Sequence, residues 1–379
     1  MFFFYGFAFL ILAVGGILYA RNKDIVFGEW ALSFGVALLL AIIFHACAFY
    51  GMTGDQEIWS GQIMKVTHHP EWVERITHHH TTKDSKGNVT GTYTTYSYDT
   101  HPQYWDADSN INSSKNISRE KYNEIVARLG GKIDKQYDVK FGEFWSGDHN
   151  IYVTHNQTGA IVPISEMRSF ENRIQAAPTV FSFAKVPTNA PVYKYPVSDS
   201  WFVSERLLGI AKNTIDIKAF DEMSARLGPS KEVNIIIVGF LNQPESLGLQ
   251  QQAAWIGGKK NDMVICYSTS KDRYHADWVY VFSWSEREIC KINLRDIFSK
   301  NKIDTSILPL VEKEIRTNWL RKDWKKFDYI SISPPTWCYW TYMLILLATQ
   351  VGIWIFSFKN EYTKDGYLGY MGFSRRSAF

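Results

Sequence analysis

The sequence predicts an α+β membrane protein built from three transmembrane helices, a β-rich module and an α/β sandwich module. Three observations carry that prediction. Long apolar runs stand at both ends of the 379-residue chain. Between them, residues 52–177 hold strand-favouring runs broken by polar turn signals. From 215 to 320, helical and strand-like apolar patterns follow one another. Four cysteines exclude a disulfide-rich secreted scaffold. A formal charge of +3 gives no reason to expect a nucleic-acid partner, and both that charge and the content of 25 glycines and 12 prolines are too low for a disordered chain.

Residues 1–51 are expected to form two transmembrane helices. The first twenty residues carry no charge, and a second apolar run covers 29–51. At about 1.5 Å per residue, twenty helical residues cross the roughly 30 Å hydrocarbon core. A cleaved signal peptide is the alternative for the first run, but no basic segment opens it and a second span follows at once. Gly6, Ala13, Gly16 and Ala20 recur at helical spacings that would let another helix approach. His45 is the one ionisable group well inside a span, which makes it a candidate for a polar intramembrane role. The third span is expected over 337–358, with Trp337, Tyr339, Trp340, Trp354 and Phe358 near its ends as an aromatic belt.

Three crossings place the 21–28 loop and the 359–379 tail on one side and the large middle region on the other. Arg21 and Lys23 in the loop, with Lys359, Lys364, Arg375 and Arg376 in the tail, favour the cytoplasm for that side. Arg316, Arg321, Lys322, Lys325 and Lys326 nearly balance them. Short loops outweigh long translocated regions, so the expected site is a bacterial inner membrane with the soluble region in the periplasm. Cys266 and Cys290 leave two alternatives open: free thiols, as in a cytosol, or one bridge, as in a periplasm.

In the β-rich module, 52–177, strands are expected at 58–66, 72–82, 89–99, 135–144 and 150–154. Asp84-Ser85-Lys86-Gly87-Asn88 joins the second and third as a hairpin turn. A loop runs from 101 to 117, and Ser118 caps a helix over 119–129. Four prolines between 178 and 196 mark an extended connector, 178–214. Beyond it, 217–227 reads as a helix stopped by Gly228-Pro229, and 233–240 as a buried strand. A helix over 247–256, strands at 263–267 and 278–284, and a helix over 307–320 complete the α/β module. Residues 321–336 form a basic, aromatic segment before the last span.

The apolar strand 233–240, then Trp255, Gly257, Gly258, Lys259, Lys260 and Asp262, then Asp272-Arg273 follow the order of the TPM-domain family, which 215–320 resembles. The resemblance implies a membrane-anchored, extracytoplasmic α/β domain linked to membrane-protein quality control, photosystem repair and acid phosphatase activity. It also implies divalent cations near the acidic residues before the second strand, which carries Asp262 over as a metal residue. The family's Asp-Asn-Gly stands here as Asn261-Asp262-Met263, and its Gly-Tyr-Gly as Phe282-Ser283-Trp284-Ser285. Trp59-Ser60-Gly61, the histidine-rich hairpin and His101-Pro102 followed by Trp105 resemble accessory membrane proteins of tailed phages.

Chemistry is most concentrated in the histidines. His68, His69, His78, His79, His80 and His101 fall within a short stretch. On a strand, His78 and His80 point to one face and His79 to the other. Two imidazoles so placed are half of a divalent-metal site, which His68 or His101 would complete while Glu71, Glu74, Asp99 and Asp106 orient the rings. The alternative is an ordinary hairpin surface on which histidine pairs with threonine and tyrosine. A divalent metal ion is the one cofactor this pattern suggests. Nucleophile elbow, P-loop, dinucleotide and zinc-protease motifs are all missing. The run Trp319, Arg321, Lys322, Trp324, Lys325 and Lys326, with Trp337 and Trp340, is expected at the lipid interface. Tyr362, Tyr367, Tyr370, Phe373 and Phe379 in the tail suit packing on a neighbouring copy. The expected function is a non-enzymatic, self-associating scaffold whose partners are the bilayer, further copies and other envelope proteins. The alternatives are a metal-dependent, phosphatase-like hydrolase and a pore or transporter subunit with His45 on the path.

Overall fold

The computed structural model describes residues 2–21, 27–137, 150–177, 186–198, 200–202, 205–270 and 272–360. Lys23 of the 22–26 loop, most of the tail and positions 138–144 of the strand expected over 135–144 lie outside the described residues. In chain order come α1 (Phe2–Arg21), α2 (Phe27–Thr53), β1 (Gly54–His69), β2 (Trp72–Lys83), β3 (Val89–His101), β4 (Tyr104–Ser109), β5 (Ser114–Ile117) and α3 (Arg119–Arg128). There follow β6 (Asp134–Tyr137), β7 (Asn150–His155), β8 (Pro163–Glu171), β9 (Leu207–Gly209), α4 (Ala211–Thr214), α5 (Ile217–Lys231) and β10 (Asn234–Leu241). The last elements are α6 (Ser246–Ala254), β11 (Asp262–Thr269), β12 (Trp278–Ser283), α7 (Glu288–Lys300), α8 (Leu308–Asn318) and α9 (Thr336–Asn360). The architecture is mixed α and β. Two compact units form: one holds residues 1–56, 169–183 and 323–379, the other 57–168 and 184–322.

In the first unit, α1, α2 and α9 close on Phe4, Ala8, Ala37, Ala41, Tyr342 and Leu346. Polar groups bridge the helices: the Tyr342 hydroxyl donates to Phe4 O at 2.8 Å, Trp30 Nε1 to Leu12 O at 3.1 Å, and Gln350 Nε2 to Ser33 O at 3.1 Å. Two described helices, not three, are long and apolar enough to cross a membrane: Phe27–Thr53 and, within α9, Thr336–Ile355. The apolar part of α1 counted among the described residues, Phe3–Ile17, is shorter than a full crossing. The close approach expected at Gly6 and Gly16 occurs instead at Gly15, where a Cβ would lie 2.5 Å from the Trp30 indole, while Gly6 has open space. His45 sits beside Tyr5, ring centroids 5.4 Å apart, and its buried Nδ1 has no hydrogen-bond partner among the described residues.

The second unit contains the α/β module and most of the β-rich module. The β-rich sheet runs β5-β4-β1-β7-β6, with β8 also paired to β1. Its inner face carries Ile63, Val66, Ala107 and Ile164 against Tyr122, Ile125 and Leu129 of α3 and its C-cap. Ser118 caps that helix as expected, accepting from Lys121 N at 3.2 Å. β4 and β5 occupy what the sequence reads as the 101–117 loop. Their polar residues conceal the alternation, because only Trp105, Ala107 and Ile117 supply apolar side chains to the core.

The α/β module is a four-stranded sheet, β12-β11-β10-β9, parallel except for β12. Successive residues of β10 and β11 serve opposite faces, as a period of two requires. Ile235, Ile237, Met263 and Ile265 join Phe220, Leu294, Phe298, Val311 and Ile315 from α5, α7 and α8. Ile236, Val238, Val264 and Cys266 join Leu247, Trp255 and Phe282, with Tyr193 and Tyr195 of the connector packed on them. Both strands are therefore covered on both faces, which is why they read as continuous apolar runs. Cys266 and Cys290 are both free and buried. Burial pushes both thiols up, Cys290 to about 12.

Gly228-Pro229 does not stop α5, which continues to Lys231 and ends on Glu232 in the left-handed region. Gly228 is a packing requirement instead: a Cβ there would come within 1.9 Å of the Ser60 carbonyl oxygen. The same contact region holds a fully buried guanidinium. Arg206 donates to Ser60 Oγ and, at 2.9 Å, to Asp221 Oδ1, beneath the Phe220 ring. Burial lowers the arginine's affinity for its proton and raises that of Asp221, while their attraction opposes both shifts.

Candidate functional site

β2 and β3 form a two-stranded ribbon of their own. It is inserted between β1 and β4, which are themselves antiparallel neighbours. The last pair of the sheet ladder is His69 with Tyr104, and the first pair of the ribbon is Trp72 with His101. Two residues intervene on each side, Pro70-Glu71 and Pro102-Gln103, so the register is kept across the interruption. Each side contributes a proline, which has no N–H to donate, and the ladder lapses there. At the far end, Asp84 organises the expected turn. Its carboxylate accepts from Lys86 N at 2.9 Å and Asn88 N at 2.8 Å, and Gly87 takes φ +86°. These bonds hold the Asp84 carboxyl below the usual carboxylate range.

From the register, one face of the ribbon carries Trp72/His101, Glu74/Asp99, Ile76/Ser97, His78/Thr95 and His80/Tyr93. The other carries Arg75/Tyr98, Thr77/Tyr96 and His79/Thr94. Nearly every side chain past Glu74 is exposed on both faces. A two-stranded ribbon in water is marginal without side-chain pairing. Here rings supply much of it. His101 stacks on Trp72 with centroids 4.0 Å apart and planes 8° apart, and His80 on Tyr93 at 4.8 Å. In the sheet below, His69 stacks on Tyr104 at 4.2 Å, and His68 lies between Trp105 and Tyr152 at 5.1 and 5.8 Å. Burial lowers the pKa of His68.

The structure regroups the expected metal residues. His78 and His80 do share a face, but their Nε2 atoms are bonded to Ser97 Oγ at 2.8 Å and Thr95 Oγ1 at 2.7 Å. Their ring centroids are 6.4 Å apart. His68 belongs to β1, and among the described residues β2 pairs with β3 alone, so His68 does not adjoin the ribbon histidines across a ladder. Among the described residues, one group of three metal-ligating side chains has its ligand atoms within 4.8 Å of one another: Glu74, Asp99 and His101. The two carboxylates, expected only to orient rings, stand where ligands would.

Asp262 is buried at the start of β11 and serves the fold. One carboxylate oxygen accepts from the Tyr195 hydroxyl at 3.0 Å and Asn234 Nδ2 at 2.9 Å, and the other from Lys259 N at 2.6 Å. Burial pushes its carboxyl up to about 7 against the pull of these donors. Ile256, Gly257 and Gly258 take successive positive φ values of 51°, 81° and 82°, so the motif around Trp255 is a left-handed helix exit closed by this carboxylate.

The expected interfacial run divides. Trp319 is 3% exposed, packs in the α/β core and donates from Nε1 to Lys231 O at 2.9 Å. Arg321 donates to both oxygens of Glu57 and to Glu232, and its guanidinium lies over Trp59. Both residues are thus interior fixtures of the second unit. Lys322 is half-buried at that unit's end. Trp324 packs edge-on against Phe327 at 4.8 Å and Phe170 at 5.8 Å. Lys325 and Lys326 are exposed, as are Trp337 and Trp340 at the start of α9.

No family model, curated protein or solved structure matches the chain.

Proposed function

We propose that this protein is a membrane-anchored, self-associating interaction protein whose soluble unit displays the histidine-bearing ribbon outside the cytoplasmic membrane of a bacterium. The ribbon carries the reading. Each of its strands keeps one edge unpaired among the described residues. At about 3.3 Å per residue, each edge offers roughly 40 Å of backbone donors and acceptors, the surface on which another chain can add a strand. Its exposed Tyr93, Tyr96 and Tyr98 are the amphipathic side chains that interfaces favour.

Anchoring is supported by the outward faces of the helices. Phe9, Leu10, Ile17, Leu39, Leu344 and Leu347 are each more than half exposed. That surface is costly in water and free of cost in lipid. Trp337 and Trp340 stand at the end of α9 where an interface would lie, and α1 completes the bundle as a third crossing in this proposal. By the same proposal, residues 215–320 are a TPM-type domain, supported by the helix, strand, helix, strand, strand order of α5, β10, α6, β11 and β12, which α7 and α8 follow.

Two measurements test the reading. Alkaline carbonate washing of membranes leaves an integral protein in the pellet, and release into the supernatant would remove the anchor. The mass of the full chain in detergent is expected to exceed one copy. A variant with residues 73–100 replaced by two glycines is expected to be monomeric. A monomeric wild type, or an oligomer indifferent to loss of the ribbon, would overturn the role given to the ribbon.

A further inference from the structure

The ribbon's base has the makings of a metal centre. Glu74 and Asp99 are directly opposite in the ladder, one charged carboxylate against another. Like charges so placed are unfavourable unless something positive stands between them. His101 Nε2 lies 3.0 Å from Glu74 Oε2 on the same face. The imidazole is held by its stack on Trp72, which aims that nitrogen at the carboxylates. Glu74 and His101 are each only about a third exposed at the side chain.

We propose that Glu74, Asp99 and His101 bind one divalent cation of the zinc class. One imidazole nitrogen and two carboxylate oxygens form a mixed donor set that suits such an ion better than Mg²⁺ or Ca²⁺, which take oxygen throughout. Ligand distances of about 2.0–2.2 Å require the three atoms to lie within roughly 4 Å of each other. Their present spread of 4.8 Å or less therefore closes with a small rotation of the side chains, of which Asp99 is exposed. Three protein ligands leave a fourth position to water. His78 and His80, engaged with hydroxyls two and three pairs further along, take no part. The site does not depend on self-association, since all three ligands come from one ribbon.

The test is calorimetric titration of ZnCl₂ into the untagged full chain in detergent, stripped with EDTA beforehand. One ion per chain is expected, with little competition from excess Mg²⁺. His101→Ala, and Glu74→Gln with Asp99→Asn, are expected to weaken binding by at least about tenfold. His78→Ala with His80→Ala should leave it unchanged. Co²⁺ absorption offers a second readout: the visible spectrum of the cobalt form is expected to lose intensity in His101→Ala. Circular dichroism of each variant separates lost ligands from a lost fold, and the conservative Glu74→Gln and Asp99→Asn changes keep the ladder intact. Absence of saturable binding overturns the proposal. So does binding indifferent to His101, or binding that disappears with His78 and His80 instead. None of these outcomes bears on the mass measurement above.

Discussion

Glu57 and Arg321 are 264 residues apart in the chain and meet through both carboxylate oxygens, at 2.8 and 3.0 Å. Glu57 is 2% exposed and also takes Lys260 at 3.4 Å and the Trp59 indole N–H at 2.7 Å. The Trp59 ring also has the guanidiniums of Arg168 and Arg321 over it, at 4.5 and 5.2 Å. A carboxylate from the start of the β-rich module thus collects one cation from the α/β module, Lys260, and one from just beyond it, Arg321. Removing one member of a buried pair leaves a desolvated charge behind, at about 3–5 kcal/mol. Glu57→Ala is expected near the lower end of that range, because Arg321 keeps Glu232. Arg321→Ala should cost less, because Lys260 remains beside Glu57. Urea midpoints of the full chain in detergent check the order, and equal midpoints for all three proteins would show the cluster to be energetically idle.

Gly228 and Gly6 make opposite predictions. A Cβ at Gly228 collides with the Ser60 carbonyl oxygen, which is backbone and has no rotamer to change. Gly228→Ala is expected to destabilise by about 3 kcal/mol or more. Gly6→Ala meets nothing within 4 Å and improves helix propensity. It should leave thermal stability unchanged or slightly higher. Melting curves of the two variants read the contrast directly.

Asp262 makes stability fall as pH rises. Its carboxyl is raised from 3.8 to about 7 by burial, so between those values the folded protein holds a proton that the unfolded chain has lost. The favourable contribution is complete below pH 3.8 and gone above about 7. Asp262→Asn abolishes this dependence. It also turns a donor toward the Lys259 N–H, at a cost of about 1–3 kcal/mol. The midpoint gap between wild type and variant is expected to narrow from pH 4.5 to 7.5, and a gap that widens would reverse the assignment.

His68 works in the other direction. Its pKa is depressed by burial from the ordinary 6.5, so the unfolded chain takes up a proton first as pH falls. Its contribution is present above pH 6.5 and declines as pH drops through 6.5 toward the folded value. His68→Phe keeps the stack with Trp105 and Tyr152 and cannot titrate. Its stability loss between pH 7.5 and 5.5 should be smaller than that of wild type.

Trp72→Ala should loosen the His101 ring without touching a ligand. Zinc affinity is expected to fall by about tenfold while stoichiometry stays the same. An unchanged affinity would mean that the stack does not orient the imidazole.

Local signals made much of this fold legible. The ribbon strands and their turn follow from β-branched and aromatic runs around a glycine-containing polar pentad. Ser118 announces α3, and the apolar run at 233–240 announces the central strand. What escaped depended on partners distant in sequence. Gly228 reads as a helix stop because nothing local reveals the Ser60 carbonyl against it. Trp319 reads as interfacial because it precedes basic residues, yet Leu308, Val311, Ile315 and Trp319 are spaced three, four and four apart. They form one stripe of α8 and its C-cap, and that signal was present. The trio at the ribbon's base escaped because alternation assigns faces within a strand but not partners across it. Pairing Glu74 with Asp99 requires the register, which the turn at Asp84 sets.

The unbroken register through Pro70 and Pro102 has a consequence for parity. Two residues span the gap on each side, an even count, so side chains that share a face of β1 and β2 keep one alternation from the sheet to the tip. One residue added on each side of the gap would send the whole outboard set to the opposite flank relative to the sheet, with every contact inside the ribbon preserved. The length of those spacers, rather than their chemistry, decides which way the imidazoles look.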